Sequence, residues 1–167
     1  EPPLPRICIH GHFYQPPRED PWTGVIRAQP SALPFSDWNQ RITKECYRAN
    51  TEARILDSEG TVAARVNTYE YLSFNFGPTL LRWMSTHAPD VVAALVAADA
   101  RSAARLGHGN AVAQAYHHAI LPLANRRDKA TEVRWGKDDF RFRFGRNPEG
   151  MWLPETAVDT ATLEVLA

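Results

Sequence analysis

Short apolar runs alternate with helix-like segments along this chain, and that order restricts its fold more than any other feature. Residues 7–9 and 151–153 have the apolar character of short strands, and residues 72–76 alternate between apolar and polar positions. A further strand, with the loop at its tip, is expected within residues 111–123. Strands separated by helices predict a parallel sheet with helical crossover connections. We therefore expect an α/β fold.

Helix signals fill the intervening segments. Apolar residues recur every three or four positions between residues 38 and 56, which predicts one helix that begins near Asp37. The recurring residues are Trp38, Ile42, Cys46, Ala49, Ala53 and Leu56. Pro78 suits the first turn of a second helix. Further helices are expected over residues 89–106, 126–144 and 156–166.

The remaining segments are predicted as connections or as solvated surface. Residues 16–34 are rich in proline and should form a long loop, and residues 58–60 should form a turn. Residues 62–69 are compatible with either a strand or a helix. The charges of residues 126–144 are interpreted as a solvated helix face, on which Asp139 and Arg143 are spaced for an ion pair.

The charge balance argues against partners that are held by bulk electrostatics. The 167 residues include 19 basic and 19 acidic side chains, so the formal net charge is zero and neither nucleic acid nor an acidic membrane is an expected partner. No secretory signal and no bilayer-spanning run are apparent, and a cytoplasmic protein is expected. Cys8 and Cys46 are predicted to be reduced packing residues, with Cys8 inside the first strand. The oligomeric state stays open.

Polar side chains collect where the predicted strands end. These residues are His10, His12, Gln15, Asn75, His108, Asn110, Gln114, His117, His118 and Glu155. In β/α proteins the carboxyl ends of the strands meet on one face, where functional residues gather. Amides and imidazoles beside the aromatic residues Tyr14, Trp22 and Trp152 suit the hydroxyl groups and C–H faces of a sugar. A carboxylate such as Glu155 is also common at a helix start, where its role is structural.

Other site chemistries have weaker support. His10-Gly11-His12 could contribute to a metal site with Glu155 or another histidine, but no helical His-x-x-x-His motif or cysteine pairing accompanies it. We expect these histidines to be hydrogen-bonding residues, with no metal and no cofactor. No glycine-rich phosphate loop and no Gly-x-Ser-x-Gly motif occurs.

Three ordered motifs resemble those of glycoside hydrolase family 57. Residues 150–155, Gly-Met-Trp-Leu-Pro-Glu, resemble its third conserved region, in which a Gly-x-Trp-x-x-Glu pattern carries the catalytic nucleophile. Residues 116–123 are similar to the second region, with its His-x-Ile-Leu-Pro-Leu run. Residues 10–16 resemble the first, which is typically His-x-His-Gln-Pro.

The resemblance implies an incomplete (β/α)7 barrel and a retaining mechanism on α-glucans. Glu155 would be the nucleophile that forms a glycosyl-enzyme, and an oligo- or polysaccharide would be the substrate. The residues that would line the site and bind sugar are His10, His12, Gln15, His118, Trp152 and Asn110.

The chain departs from the family pattern in three places. Phe13-Tyr14 interrupts the first motif, and Asn110 stands where the family often has a glutamate. The family's general acid is an aspartate beyond Ala167. We therefore expect residues 1–167 to be the N-terminal part of a single catalytic domain, truncated and inactive alone, because a retaining glycosidase needs two carboxyl groups about 5–5.5 Å apart. A metal-dependent polysaccharide deacetylase and a non-catalytic carbohydrate-binding relative are the alternatives.

Overall fold

Two pairs of short parallel strands, joined by a single bridge, form the central sheet in the computed structural model, which describes residues 7–167. In chain order the strands are β1 (His10–Phe13), β2 (Ala53–Leu56), β3 (Val62–Val66), β4 (Ser73–Phe76), β5 (Ala113–Gln114) and β6 (Met151–Trp152). The helices are α1 (Trp38–Ile42), α2 (Arg48–Thr51), α3 (Pro78–His87), α4 (Pro89–Leu106), α5 (Arg126–Phe144) and α6 (Thr160–Leu166). The fold is therefore mixed α/β, as predicted.

The central sheet has the strand order β1-β4-β5-β6. Strands β1 and β4 pair in parallel with His12 opposite Asn75, and β5 and β6 pair in parallel with Gln114 opposite Trp152. A parallel bridge between Phe74 and Ala111 joins the two pairs. The predicted parallel pairing with helical crossovers is confirmed for these strands.

The two faces of this sheet differ in chemistry because successive side chains of a strand point to opposite sides. Phe74, Phe76 and Ala113 lie on the apolar face and are buried in the main hydrophobic core with side chains from α3, α4 and α5. The opposite face, which we call the polar face, carries His10, His12, Ser73, Asn75, Gln114 and Trp152. The helices thus leave the polar face available for a site.

Local signals set the ends of the long helices. Pro78 occupies the first turn of α3, and Asn125 caps α5 by accepting a hydrogen bond from the backbone N–H of Asp128. Helices α4 and α5 end at Gly107 and Gly145, which both adopt positive φ angles. These boundaries agree with the sequence predictions.

The predicted helix over residues 37–56 is wrong at its C-terminal end. It begins as expected, with Asp37 capping α1, and continues through a π-helical segment (Thr43–Tyr47) into α2, which ends at Thr51. Ala53 and Leu56 instead belong to β2, which forms an antiparallel hairpin with β3. The reason is the turn: the Asp57 carboxylate accepts from the N–H groups of residues 59 and 61 and reverses the chain.

The first strand begins later than predicted. Residues 7–9 precede β1, and Ile7 is 90% exposed. Strand pairing starts at His10 because its partner β4 starts at Ser73, whose N–H donates to the carbonyl of Ile9. Cys8 is exposed, so its predicted packing role is wrong, whereas Cys46 packs partly buried against the core.

The charged helix α5 is less solvated than predicted. Asp139 and Arg143 form the expected ion pair at 2.8 Å, but both side chains are nearly buried. Lys129 is buried and its ammonium group contacts the Asp159 carboxylate at 3.0 Å. Among residues 7–167, no helix combines the length and the apolar character needed to cross a bilayer.

Candidate active site

Two histidines of β1 project from the polar face beside two polar residues of β4. His10 and His12 are two positions apart, so the pleat places both on the same side. His10 Nδ1 lies 2.9 Å from Ser73 Oγ, and His10 Nε2 lies 3.0 Å from Asn75 Oδ1. The first predicted site residues therefore lie within a strand and are held by side chains of its neighbour.

Asn75 is the buried centre of this group. Its side chain is completely buried, and Nδ2 lies 2.9 Å from His12 Nδ1. The same Nδ2 donates to Gln114 Oε1 at 2.5 Å, which links β4 to β5. A buried amide with partners on both neighbouring strands fixes the positions of those side chains relative to each other.

His118 joins the group from the loop after β5. It adopts a positive φ of 59°, which turns the chain so that its Nε2 lies 3.0 Å from His12 Nε2. Its ring stacks on Tyr14, the residue that follows β1, at a centroid distance of 3.9 Å. The predicted convergence of the first and second motifs is thus present in the structure.

Trp152 of β6 covers the two histidines of β1. Its indole stacks on the His10 ring at 5.0 Å and on the His12 ring at 4.6 Å between centroids. The site therefore has a wall of parallel aromatic and imidazole rings, a surface suited to the C–H face of a sugar ring.

Glu155 follows β6 directly, at the C-terminal edge of the sheet. It lies in a 3₁₀ turn (Pro154–Thr156), is exposed, and adopts a positive φ of 55°. Its charge acts on the rings of both His12 and His118. Glu155 therefore lies within electrostatic range of two of the site histidines.

The environment favours neutral imidazoles. Burial lowers the pKa of His12 below its usual 6.5, and the nearby His10 lowers it further, against the opposing effects of Asn75 and Glu155. Burial and the neighbouring His12 likewise lower the pKa of His118, while Glu155 and the His118 backbone raise it. Hydrogen-bonding, uncharged rings suit a neutral substrate rich in hydroxyl groups.

Two predicted site residues make other contacts. Gln15 accepts a hydrogen bond from Arg18 Nη2 at 2.7 Å and also lies against the buried Tyr47 hydroxyl. Asn110 lies at the N-terminal end of the sheet, where its amide donates to the Glu70 carbonyl at 2.8 Å. The structure does not bring Asn110 together with Glu155, because the two residues lie at opposite ends of parallel strands.

Several other polar and aromatic candidates also lie apart from the group. His117 is bound by Glu132 of α5, with Nδ1 2.7 Å from Oε1 and the backbone N–H donating to Oε2. Trp22 is 90% exposed in the long loop. Asp159 caps α6, and its carboxylate contacts Lys129.

The site geometry differs from that of a metal centre. His12 and His118 direct their Nε2 atoms at each other, and within residues 7–167 no three His, Cys, Asp or Glu side chains gather as metal ligands would. The deacetylase alternative, which would need an Asp-His-His set, gains no support from this arrangement.

Asn75 and Gln114 are the site residues that the sequence analysis left without a role. Both were recognised only as polar residues near strand ends. A signal was available in the alternating sequence Ser73-Phe74-Asn75-Phe76. Alternation directs the two phenylalanines to the core face of the strand and Asn75 to the other face, where it can reach side chains of the neighbouring strands.

A comparison with protein families matches a part of the chain that includes the second and third motifs. The model of glycosyl hydrolase family 57 matches residues 37–167, whereas no curated protein gives a significant match. A crystal structure of a 4-alpha-glucanotransferase from Thermococcus litoralis aligns with a TM-score of 0.57 and 16% identity, over 95% of this chain and 20% of that chain. This chain thus spans about a fifth of that protein's length, and the likeness concerns the fold alone. Because the family model covers most of the sequence, the chain belongs to glycosyl hydrolase family 57.

Proposed function

We propose that this protein acts on glycosidic bonds of α-glucan-like oligo- or polysaccharides by a retaining double displacement, with Glu155 as the nucleophile. The observation that carries the proposal is the position of Glu155: an exposed carboxylate directly after β6 whose charge acts on the rings of His12 and His118. Membership of family 57 supports action on glycosidic bonds, and the named activity of the structural relative supports an α-glucan.

In the first step, a Glu155 carboxylate oxygen would bond to the anomeric carbon while the glycosidic C–O bond breaks. The leaving oxygen would take a proton from a general acid, and an ester would link the sugar to Glu155. In the second step, water or a sugar hydroxyl would displace the carboxylate, with the acid residue now acting as base. Water would give hydrolysis, and a sugar acceptor would give transfer.

The proposed binding residues are the rings around Glu155. Trp152 would face the C–H surface of the sugar, while His10, His12 and His118 would position its hydroxyl groups. The polar face would then be the interior of an incomplete (β/α)7 barrel, to which residues 1–167 contribute part of one catalytic domain. Its alternation of polar and apolar residues supports this arrangement.

The general acid is proposed to come from outside the described residues. Within residues 7–167, the nearby carboxylates have other partners: Asp159 contacts Lys129, and Glu132 contacts His117. General acid–base assistance contributes roughly 10²–10⁴-fold to such reactions. We therefore expect residues 1–167 alone to leave natural glucans uncleaved.

An activated substrate tests Glu155 without requiring that acid. An aryl α-maltoside with a strongly acidic phenol as leaving group departs without protonation, so the covalent step can proceed. We expect a burst of released phenol and, by mass spectrometry of peptides, a maltosyl adduct on Glu155.

The matched variants are Glu155→Gln and Glu164→Gln, which make the same chemical change at the site and on an exposed part of α6. Glu155→Gln should abolish both burst and adduct, while Glu164→Gln should retain them. An adduct on another residue, or a folded wild-type protein that forms none, would refute the proposed nucleophile.

A further inference from the structure

A continuous hydrogen-bonded chain crosses the polar face, from Ser73 to His118. It passes through His10 Nδ1 and Nε2, Asn75, and His12 Nδ1 and Nε2, and every link has a heavy-atom distance between 2.9 and 3.0 Å. The rings of His10 and His12 each use both nitrogen atoms. Because a neutral imidazole carries one donor and one acceptor, fixing the proton on one ring determines it on the others.

The amide of Asn75 fixes the first proton. Its Nδ2 carries two hydrogens, of which one goes to Gln114 Oε1 and the other points to His12 Nδ1. His12 Nδ1 also lies 3.2 Å from Asn75 Oδ1. We assign the hydrogen bond to the shorter contact with Nδ2, so that Nδ1 accepts and the proton of His12 lies on Nε2. The Asn75 Oδ1 atom is then the acceptor for His10 Nε2–H, so Ser73 Oγ–H donates to His10 Nδ1.

The same logic extends to the second motif. Since His12 Nε2 donates, His118 Nε2 must accept, which leaves the proton of His118 on Nδ1. The proposed direction therefore runs unbroken from the Ser73 hydroxyl to the His118 ring.

We propose that Asn75 is a positioning residue whose amide sets the tautomers of His10 and His12 and, through His12, that of His118. The protons then lie on His10 Nε2, His12 Nε2 and His118 Nδ1. This inference rests on the proposed function, because its purpose is to keep the three rings in fixed orientations around Glu155.

Neutral rings matter for a carboxylate nucleophile. An imidazolium beside Glu155 would form an ion pair with it, and the positive charge would reduce the carboxylate's ability to attack carbon. Burial lowers the pKa of both His12 and His118, and for His12 this effect exceeds those of the Asn75 hydrogen bond and of Glu155, which raise its pKa. The titratable groups that face His12 are His10, Tyr14, His118 and Glu155.

The opposite direction has specific costs. For His10 it would require both amides to turn over, so that Gln114 Nε2 donates to Asn75 and Asn75 Nδ2 donates to His10. For His12 it would replace the 2.9 Å contact with Asn75 Nδ2 by the longer 3.2 Å contact with Asn75 Oδ1.

Nitrogen NMR of the wild-type protein labelled with ¹⁵N-histidine tests the direction without any substrate. Long-range ¹⁵N–¹H spectra distinguish protonated from unprotonated ring nitrogens, and His→Gln variants assign the signals. We expect Nε2–H for His10 and His12 and Nδ1–H for His118. Nδ1–H on His12 would overturn the proposal, whatever the variants do.

The Asn75→Asp variant tests the cause. A carboxylate at this position can only accept, so His12 should move its proton to Nδ1 and should titrate at a higher pH than in the wild type. The control is Asn147→Asp, the same change on the exposed surface, which should leave all three tautomers unchanged. Unchanged His12 tautomers in a folded Asn75→Asp protein would refute the role of Asn75.

The aryl maltoside burst separates this inference from the proposed function. If the NMR spectra show the predicted tautomers but the wild-type protein gives no burst, the glycosidase mechanism is refuted. The stated purpose of the network is then refuted as well. A normal wild-type burst with reversed tautomers would retain Glu155 and eliminate the positioning role. A slowed burst in Asn75→Asp together with the moved proton would support both.

Discussion

The ion pair between Asp99 and Arg146 joins three parts of the fold, and its removal should cause a large loss of stability. The Asp99 carboxylate on α4 accepts from Arg146 Nε at 2.8 Å, from Arg146 Nη2 at 2.9 Å and from the backbone N–H of Ala111 at 2.8 Å. Its side chain is only 3% exposed and that of Arg146 is 22% exposed. The pair therefore ties α4 to the start of β5 and to the loop before β6.

The expected magnitude follows from what Asp99→Ala leaves behind. Breaking one partner of a buried pair costs about 3–5 kcal/mol, since the remaining charge stays in a poorly solvated site. Arg146 keeps some contact with water, which favours the lower end, about 3 kcal/mol. The free energy of unfolding of native domains is roughly 5–15 kcal/mol in total. We therefore expect the Asp99→Ala protein to be close to its limit of stability.

Urea unfolding followed by tryptophan fluorescence and far-UV circular dichroism measures the change. With a slope of about 2 kcal/mol per molar urea, a loss of 3 kcal/mol lowers the midpoint by about 1.5 M. The control is Glu164→Ala, which removes the exposed 3.7 Å contact with Arg126 and should cost at most about 1 kcal/mol. Equal midpoints for Asp99→Ala and Glu164→Ala would refute the reasoning.

Two further predictions concern the helices behind the site. Gly136→Ala should destabilise the protein by about 1–2 kcal/mol in the same urea assay, because the added Cβ would collide with the Gln114 carbonyl. This loss is expected although alanine normally favours a helix over glycine. A gain in stability would contradict this packing. Hydrogen bonds from Thr162 and Lys129 hold the pKa of Asp159 at about 2, below the usual 3.8. Since the folded-state pKa is lowered, its stabilising effect is present above pH 3.8 and is lost as the pH falls towards 2. The urea midpoint should therefore fall less over this range in Asp159→Asn than in the wild type, and parallel curves would contradict the assignment.

The parts of the fold that were predictable are those with local boundary signals. Pro78, Gly107 and Gly145 mark helix ends through their own backbone preferences, independently of distant residues. In the structure the helices begin or end at these positions. The hairpin of β2 and β3 was missed because Ala53 and Leu56 continue the helical spacing, and only pairing with distant residues makes them a strand. Tertiary pairing overrode the local pattern.

The candidate site was predictable to the level of its motifs but not of its contacts. Four of the predicted residues, His10, His12, His118 and Trp152, stack or bond together. The position of Gln15 beside Arg18 depends on rotamers that no spacing encodes. The central role of Asn75 depends on strand register, in which a shift of one residue would bury the histidines and expose the phenylalanines.

The backbone at the site also sets a limit on how this protein could be engineered. His118, Glu155 and Thr156 all adopt positive φ angles, which cost a residue other than glycine roughly 1–2 kcal/mol each. A library selected only for heat tolerance would therefore enrich glycine or asparagine at these positions, and it would remove an imidazole and a carboxylate from the candidate site. Thr156 is the position where the backbone could be relaxed without losing either group.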